Sequence, residues 1–126
     1  MHKLQIKRIY EEPNPSDGYR ILIDRLWPRG ISKNEAKVDD WAKSITPSTE
    51  IRKEFNHEPA RMEVFRVKYI AELDDNPETA KFVDFLAEKL KQTNVTLLYG
   101  AKDEKVNHAV ILQDWLEEKL QLLEVK

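Results

Sequence analysis

The 126-residue sequence contains no cysteine. That excludes a thiol nucleophile, a Cys-x-x-Cys redox pair, a thiolate zinc site and any disulfide. A reducing cytoplasm is therefore the expected compartment. No apolar run approaches the ~18 residues of a membrane span, and the opening MHKLQIKRIY has no apolar segment of the kind a secretory leader needs. Neither a membrane partner nor a leader is expected. Glycine is scarce: Gly18, Gly30 and Gly100 are scattered, so there is no glycine-rich phosphate loop and no nucleotide cofactor of the classes that use one. Histidine is limited to His2, His57 and His108, no two at helical ligand spacing, and no resident metal or other cofactor is expected. Ser16, Ser32, Ser44 and Ser48 lack the Gly-x-Ser-x-Gly turn of a serine hydrolase. An excess of one charge is missing too. Lys and Arg number 21 against 23 Asp and Glu, a net charge of −2, which gives no support to nucleic-acid binding and does not forbid it.

What is present is enough for one folded domain. Hydrophobic residues make up 40% and charged residues 35%, a mix that buries a core, and the length fits a single unit over 1–126. Leu4 and Ile6 alternate with polar neighbours as in a half-buried strand. The turn-rich EEPNPSDG at 11–18 follows, then the continuous apolar run Ile21-Leu22-Ile23 of a buried strand placed at 21–25. Trp27-Pro28-Arg29-Gly30 breaks it. The segment at about 34–57 reads as a helical insertion, interrupted by Pro47 and restarted by a Ser48 cap holding Ile51 and Phe55.

Pro59 opens a helix with Met62, Phe65, Tyr69 and Leu73 in line, and Pro77 opens another with Phe82, Val83, Leu86 and Leu90. Val95–Tyr99 is a second buried strand, and a last helix carries Ala109, Leu112, Leu116, Leu120 and Leu123. The fold class expected is α/β: a small, largely parallel central sheet flanked by helices on both faces. Too few residues separate the first two strands for a helical crossover, which leaves them antiparallel or not adjacent.

Ligands of open α/β sheets bind beyond the carboxyl ends of the strands, and two segments fall there. In 20–33, Arg20, Arg25, Arg29 and Lys33 face the single acid Asp24, a concentrated positive field that attracts anions. Arg25 and Arg29 are candidate clamps for a phosphate or carboxylate. Asp24 is a candidate base, or else the ion-pair partner of Arg25 that orders the loop. Trp27 reads as core or as a stacking surface. From 99 to 108, Tyr99, Lys102 and Asn107 are candidate ligand contacts and His108 a candidate acid or base, while Asn107 and His108 also suit the cap of the last helix.

RILIDRLWPRG at 20–30, DDWAKSITPS at 39–48, EFNH at 54–57 and LLYGAKDEKVNHAVIL at 97–112 resemble the motifs of the domain-of-unknown-function 488 family, in its YeaO-like branch. The resemblance covers nearly the whole chain. It implies a small cytosolic α/β protein of no established activity. A related branch is similar in layout, with a Cys-His-Arg segment before the last helix. Asn107-His108-Ala109 stands here instead, so a thiol mechanism has no counterpart in this chain.

Three functional readings follow. The first is a binding or regulatory protein for a small anionic ligand. The second is a cysteine-independent enzyme on a phosphorylated or nucleic-acid substrate, with Asp24 or His108 as acid or base and Arg25 stabilising developing charge. The third is an interaction module or homodimer with Trp27 and Trp41 as exposed anchors.

Overall fold

Val95–Tyr99, every residue of it buried, forms the inner strand of a four-stranded parallel sheet. The computed structural model describes residues 2–125, with side chains to Leu122. In chain order the elements are β1 (Leu4–Arg8), β2 (Tyr19–Leu22), α1 (Lys33–Ala36), β3 (Asp40–Trp41), α2 (Thr49–Phe55), α3 (Met62–Asp75), α4 (Pro77–Gln92), β4 (Val95–Tyr99) and α5 (His108–Val125). The sheet order is β1-β4-β2-β3. Leu4 and Tyr19 both align with Val95, and Ile21 aligns with Asp40.

This order settles how the first two strands relate. They are parallel and not adjacent, because β4 lies between them. Their link contains a tight turn at Pro15–Asp17, capped by the Asn14 side chain. The second strand spans 19–22 rather than 21–25, and a two-residue strand, β3, lies in the segment read as a helical insertion.

Side chains alternate across a strand, and the two faces of this sheet are covered differently. On one, Ile21, Ile23, Val95, Leu97 and Tyr99 pack against Phe65, Tyr69 and Leu73 of α3, Val83, Leu86 and Leu90 of α4, and Ile111, Leu112 and Leu116 of α5. The stripes read from sequence therefore all serve this face. Leu120 also packs here, whereas Leu123 lies outside the described side chains. On the other face Ile9, Leu22 and Leu98 meet Ala36 of the four-residue α1, with Trp27, Ile31 and Trp41.

The amino half of that second face is polar. Asp17 accepts from Lys7 Nζ (3.1 Å) and from the Arg20 guanidinium, Arg20 also donates to the Ala36 carbonyl, and Thr96 donates to the Asp17 carbonyl. Each buried charge is thus paired and hydrogen-bonded, as burial requires. The carboxyl ends of β1, β4 and β2 open together on one side of the molecule.

Candidate functional site

Beyond those strand ends lies a cleft of about 610 Å³. Tyr10 enters it after β1, Asp24 to Arg29 after β2, Gly100 and Ala101 after β4, and Asn107 and His108 from the start of α5. The far wall is α2 and its exit, with Thr49, Arg52, Lys53 and Phe55 through His57. A larger groove of about 870 Å³ runs between β1, α4 and α5, lined by Leu4, Ile6, Leu90 and Leu120 among others. None of the candidate site residues read from sequence lines it.

Local sequence explains each wall. Asn107 caps α5: its Oδ1 accepts the Val110 N–H (3.1 Å) and its Nδ2 donates to the Asp103 carbonyl (2.7 Å), and the side chain is buried. Its capping role is therefore the one its hydrogen bonds perform. The Asp103 carboxylate takes the Lys105 and Val106 N–H groups, which hold its carboxyl below the ordinary carboxylate range and fix the approach to α5. Ser48 caps α2 and is gripped by Glu72 of α3, at 2.9 Å through its N–H and 2.6 Å through its hydroxyl. At the other end of α2, Asn56 and His57 take left-handed φ values of 48° and 56°. Left-handed backbone is uncommon for residues other than glycine, though Asn and His are among those that adopt it most readily.

Asp24 sits between the two inner strand ends. Its Oδ2 accepts the Gly100 N–H at 2.9 Å, an approach that glycine permits, since a Cβ at position 100 would lie 2.9 Å from that oxygen. His108 Nε2 is 2.8 Å from the Ile23 carbonyl and 3.2 Å from Asp24 Oδ1. A carbonyl only accepts, so Nε2 carries a proton directed at Ile23, and Oδ1 has no hydrogen bond of its own. The ion pair expected between Asp24 and Arg25 does not form. Arg25 is drawn away by the Pro47 carbonyl, to which its Nε donates at 3.2 Å, and its charge is unpaired among the described residues. The same holds for Arg29, which is exposed.

The positive cluster read along 20–33 is divided by the fold. Arg20 lies on the second face, buried against Asp17, and Lys33 is on the exposed surface of α1. Neither lines the cleft. Arg52 and Lys53 of α2 take their places, so four cations (Arg25, Arg29, Arg52 and Lys53) line the cleft against one acid, Asp24. These two are among the lining residues that sequence reasoning did not assign to the site, as are Tyr10, Leu26, Thr49, Asn56 and His57. The cap at Ser48 followed by Ile51 and Phe55 marks Arg52 and Lys53 as helical residues, but carries no signal of what that helix lies beside.

Of the residues expected to form a site, Asp24, Arg25, Arg29, Asn107 and His108 come together. Tyr99 and Lys102 do not line the cleft. Tyr99 is buried, and burial, helped by Glu104 and Glu11, pushes its phenol up; Lys102 is exposed. Trp27 and Trp41 are not exposed anchors. They meet edge to face at 5.7 Å, and their indole N–H groups donate to the Ile31 and Asp24 carbonyls. Buried indoles normally find such partners.

Among the described residues, no cluster of three or more His, Asp or Glu is placed to hold a metal ion, and no helix is long and apolar enough to cross a membrane. The chain is 50% identical to "Uncharacterized protein YeaO" of Escherichia coli (strain K12), over 90% of this chain and 96% of that one. It is 33% identical to "Uncharacterized protein Rv3073c" of Mycobacterium tuberculosis (strain ATCC 25618 / H37Rv), over 90% and 93%. No solved structure matches. The family model described as the inactive DUF488-N3 subclade matches residues 3–124, and with these relatives it shows that the chain belongs to that subclade of the DUF488 family.

Proposed function

We propose that the cleft binds a small anion through a phosphate or carboxylate group, in the cytoplasm and without catalysis. The observation that carries this reading is the convergence of Arg25, Arg29, Arg52 and Lys53 on one cleft whose single acid, Asp24, is already engaged by the Gly100 N–H. Guanidinium groups suit two-pronged contacts with phosphate or carboxylate. The segment 34–57 is then the addition to the α/β domain that brings in two of the four cations. A binding role without turnover agrees with the description of the subclade as inactive. It agrees also with Asn107, which is occupied in capping.

The test is titration calorimetry of the full chain with inorganic phosphate and with sulfate. A charge-assisted contact contributes about 1.5–3 kcal/mol, so Arg25→Ala and Arg52→Ala should each weaken binding roughly ten- to a hundredfold. Arg25 pairs with no acid among the described residues, so its truncation strands no carboxylate and the melting temperature should hold. Absence of saturable phosphate or sulfate binding by the wild type refutes the proposal, as does a large loss of ligand-free stability in Arg25→Ala.

A further inference from the structure

The cleft is larger and more aromatic than a bare anion needs. Five non-hydrogen atoms of phosphate displace about as much volume as five waters of ~30 Å³ each, roughly a quarter of the 610 Å³ available. The whole cleft falls within the range of sites for organic ligands, about 300–1,000 Å³. Its floor is apolar: Phe55 and Phe65 are buried and stacked with ring centroids 4.2 Å apart. Its rim carries apolar groups beside the cations. Tyr10 is 41% and Leu26 68% exposed, and both line the cleft.

Tyr10 is held in place. Its hydroxyl donates to the Arg29 carbonyl at 2.6 Å, and the Arg8 guanidinium lies 5.1 Å from its ring centre. Fixing an aromatic wall beforehand lowers the entropy cost of stacking a ligand on it. His57 adds a second ring at the opposite wall, set there by consecutive left-handed residues.

We infer that the anion bound here is the phosphate of a molecule with a planar aromatic body, of the class of nucleoside monophosphates. The inference rests on the anion reading above and extends it. The cations hold the phosphate, and the ring lies among Tyr10, Leu26 and His57. Aromatic side chains and Arg both stack on bases without needing a particular sequence of donors. Thr49 and Asn56, also on the wall, supply donors and acceptors suited to ribose hydroxyls and ring nitrogens, which a hydrocarbon tail would leave unpaired. A single phosphate fits better than a diphosphate, because no glycine-rich loop is present to wrap a longer chain.

The experiment compares the full chain's affinity for AMP, GMP, CMP and UMP with its affinity for ribose 5-phosphate and inorganic phosphate. At least one nucleotide should bind tenfold or more tighter than ribose 5-phosphate. Tyr10→Ala, checked for folding by circular dichroism, should remove most of that excess. Because the Tyr10 hydroxyl also holds the Arg29 carbonyl, Leu26→Ser serves as the second variant, and each variant's nucleotide affinity is read against its own ribose 5-phosphate affinity. Arg25→Ala should weaken nucleotide and ribose phosphate alike. If all four nucleotides bind no tighter than ribose 5-phosphate, the aromatic-body inference fails while the anion site stands. If the nucleotide excess survives both Tyr10→Ala and Leu26→Ser, the placement of the ring fails. If no phosphate compound binds, the anion reading itself is lost.

Discussion

Replacing Asp17 by Asn removes the anion from the buried polar layer and leaves Lys7 and Arg20 without their shared counter-charge. The Asp17 and Arg20 side chains are 7% and 5% exposed, too little for water to neutralise the change. After the substitution, Arg20 keeps the Ala36 carbonyl, at 3.1 and 2.7 Å, and faces at best a neutral amide oxygen in place of the carboxylate. Removing one partner of a buried ion pair costs about 3–5 kcal/mol. A 126-residue domain loses about 4 °C of melting temperature per kcal/mol, so Asp17→Asn should melt about 12–20 °C lower.

Arg20→Met should cost less, about 1–3 kcal/mol, because Asp17 then retains Lys7 and the Asn14 N–H. The double variant should be more stable than Asp17→Asn alone. The acid limb follows from the same contacts. Burial alone would raise the Asp17 carboxyl, but the Asn14 N–H, Lys7 and Arg20 together outweigh it and hold it below its usual range. A lowered folded pKa contributes stability above the unfolded value, near 3.9, and that contribution is lost as pH falls through the folded one. Wild type should therefore lose stability below about pH 4 with a steeper slope than Asp17→Asn. Thermal melts by circular dichroism from pH 2.5 to 7 measure all of this. A loss under about 4 °C for Asp17→Asn, or a greater loss for Arg20→Met, refutes the reasoning.

Gly100→Ala should displace the Asp24 carboxylate, since the new methyl would stand 2.9 Å from Oδ2 and 3.4 Å from Pro28 Cβ. The expected cost is about 1–3 kcal/mol, seen as a lower urea midpoint, and an unchanged midpoint would show that the loop yields freely. Tyr69→Phe removes the hydroxyl that donates to the Ile45 carbonyl at 2.7 Å in a site where burial pushes the phenol far up. A buried carbonyl left unpaired costs about 1–3 kcal/mol, and a variant as stable as wild type would mean that water replaces the bond. In the cleft, phosphate affinity should fall steeply between 50 and 300 mM sodium chloride, about as expected for contacts between exposed charges; an affinity indifferent to salt would argue against the Arg and Lys contacts.

Where burial alone decides structure, the sequence was readable. Val95–Tyr99 is apolar apart from Thr96, and it is the inner strand. The cap at Ser48 and the prolines at 59 and 77 mark helical turns that form. Pairing between distant segments was harder to read. β3 is a strand only because Asp40 and Trp41 lie alongside Ile21 and Leu22, and β2 begins at Tyr19 because β4 offers Val95 as its partner. Cover for the second face was also hidden. Two tryptophans, a four-residue helix and a polar layer replace the long helix that the pattern of apolar strands leads one to expect.

The candidate site divides along the same line, and Arg20 shows why. Counted along the chain, it sits with Arg25 and Arg29 in one positive segment. On a strand, however, Arg20 shares a face with Leu22 and precedes it, which puts it on the second face at the amino end, away from the strand ends where ligands bind. Strand parity, applied to the same residues, separates Arg20 from the other two without any coordinates. Arg52 and Lys53 are the reverse case. Nothing within residues 49–55 says what that helix will lie beside, because its position is fixed by Glu72 gripping Ser48 across 24 residues of sequence. The field of the cleft is therefore a product of tertiary structure: one cation leaves the local cluster through parity and two arrive on a helix docked from elsewhere. Charge counted in a sequence window approximates it only where neither happens.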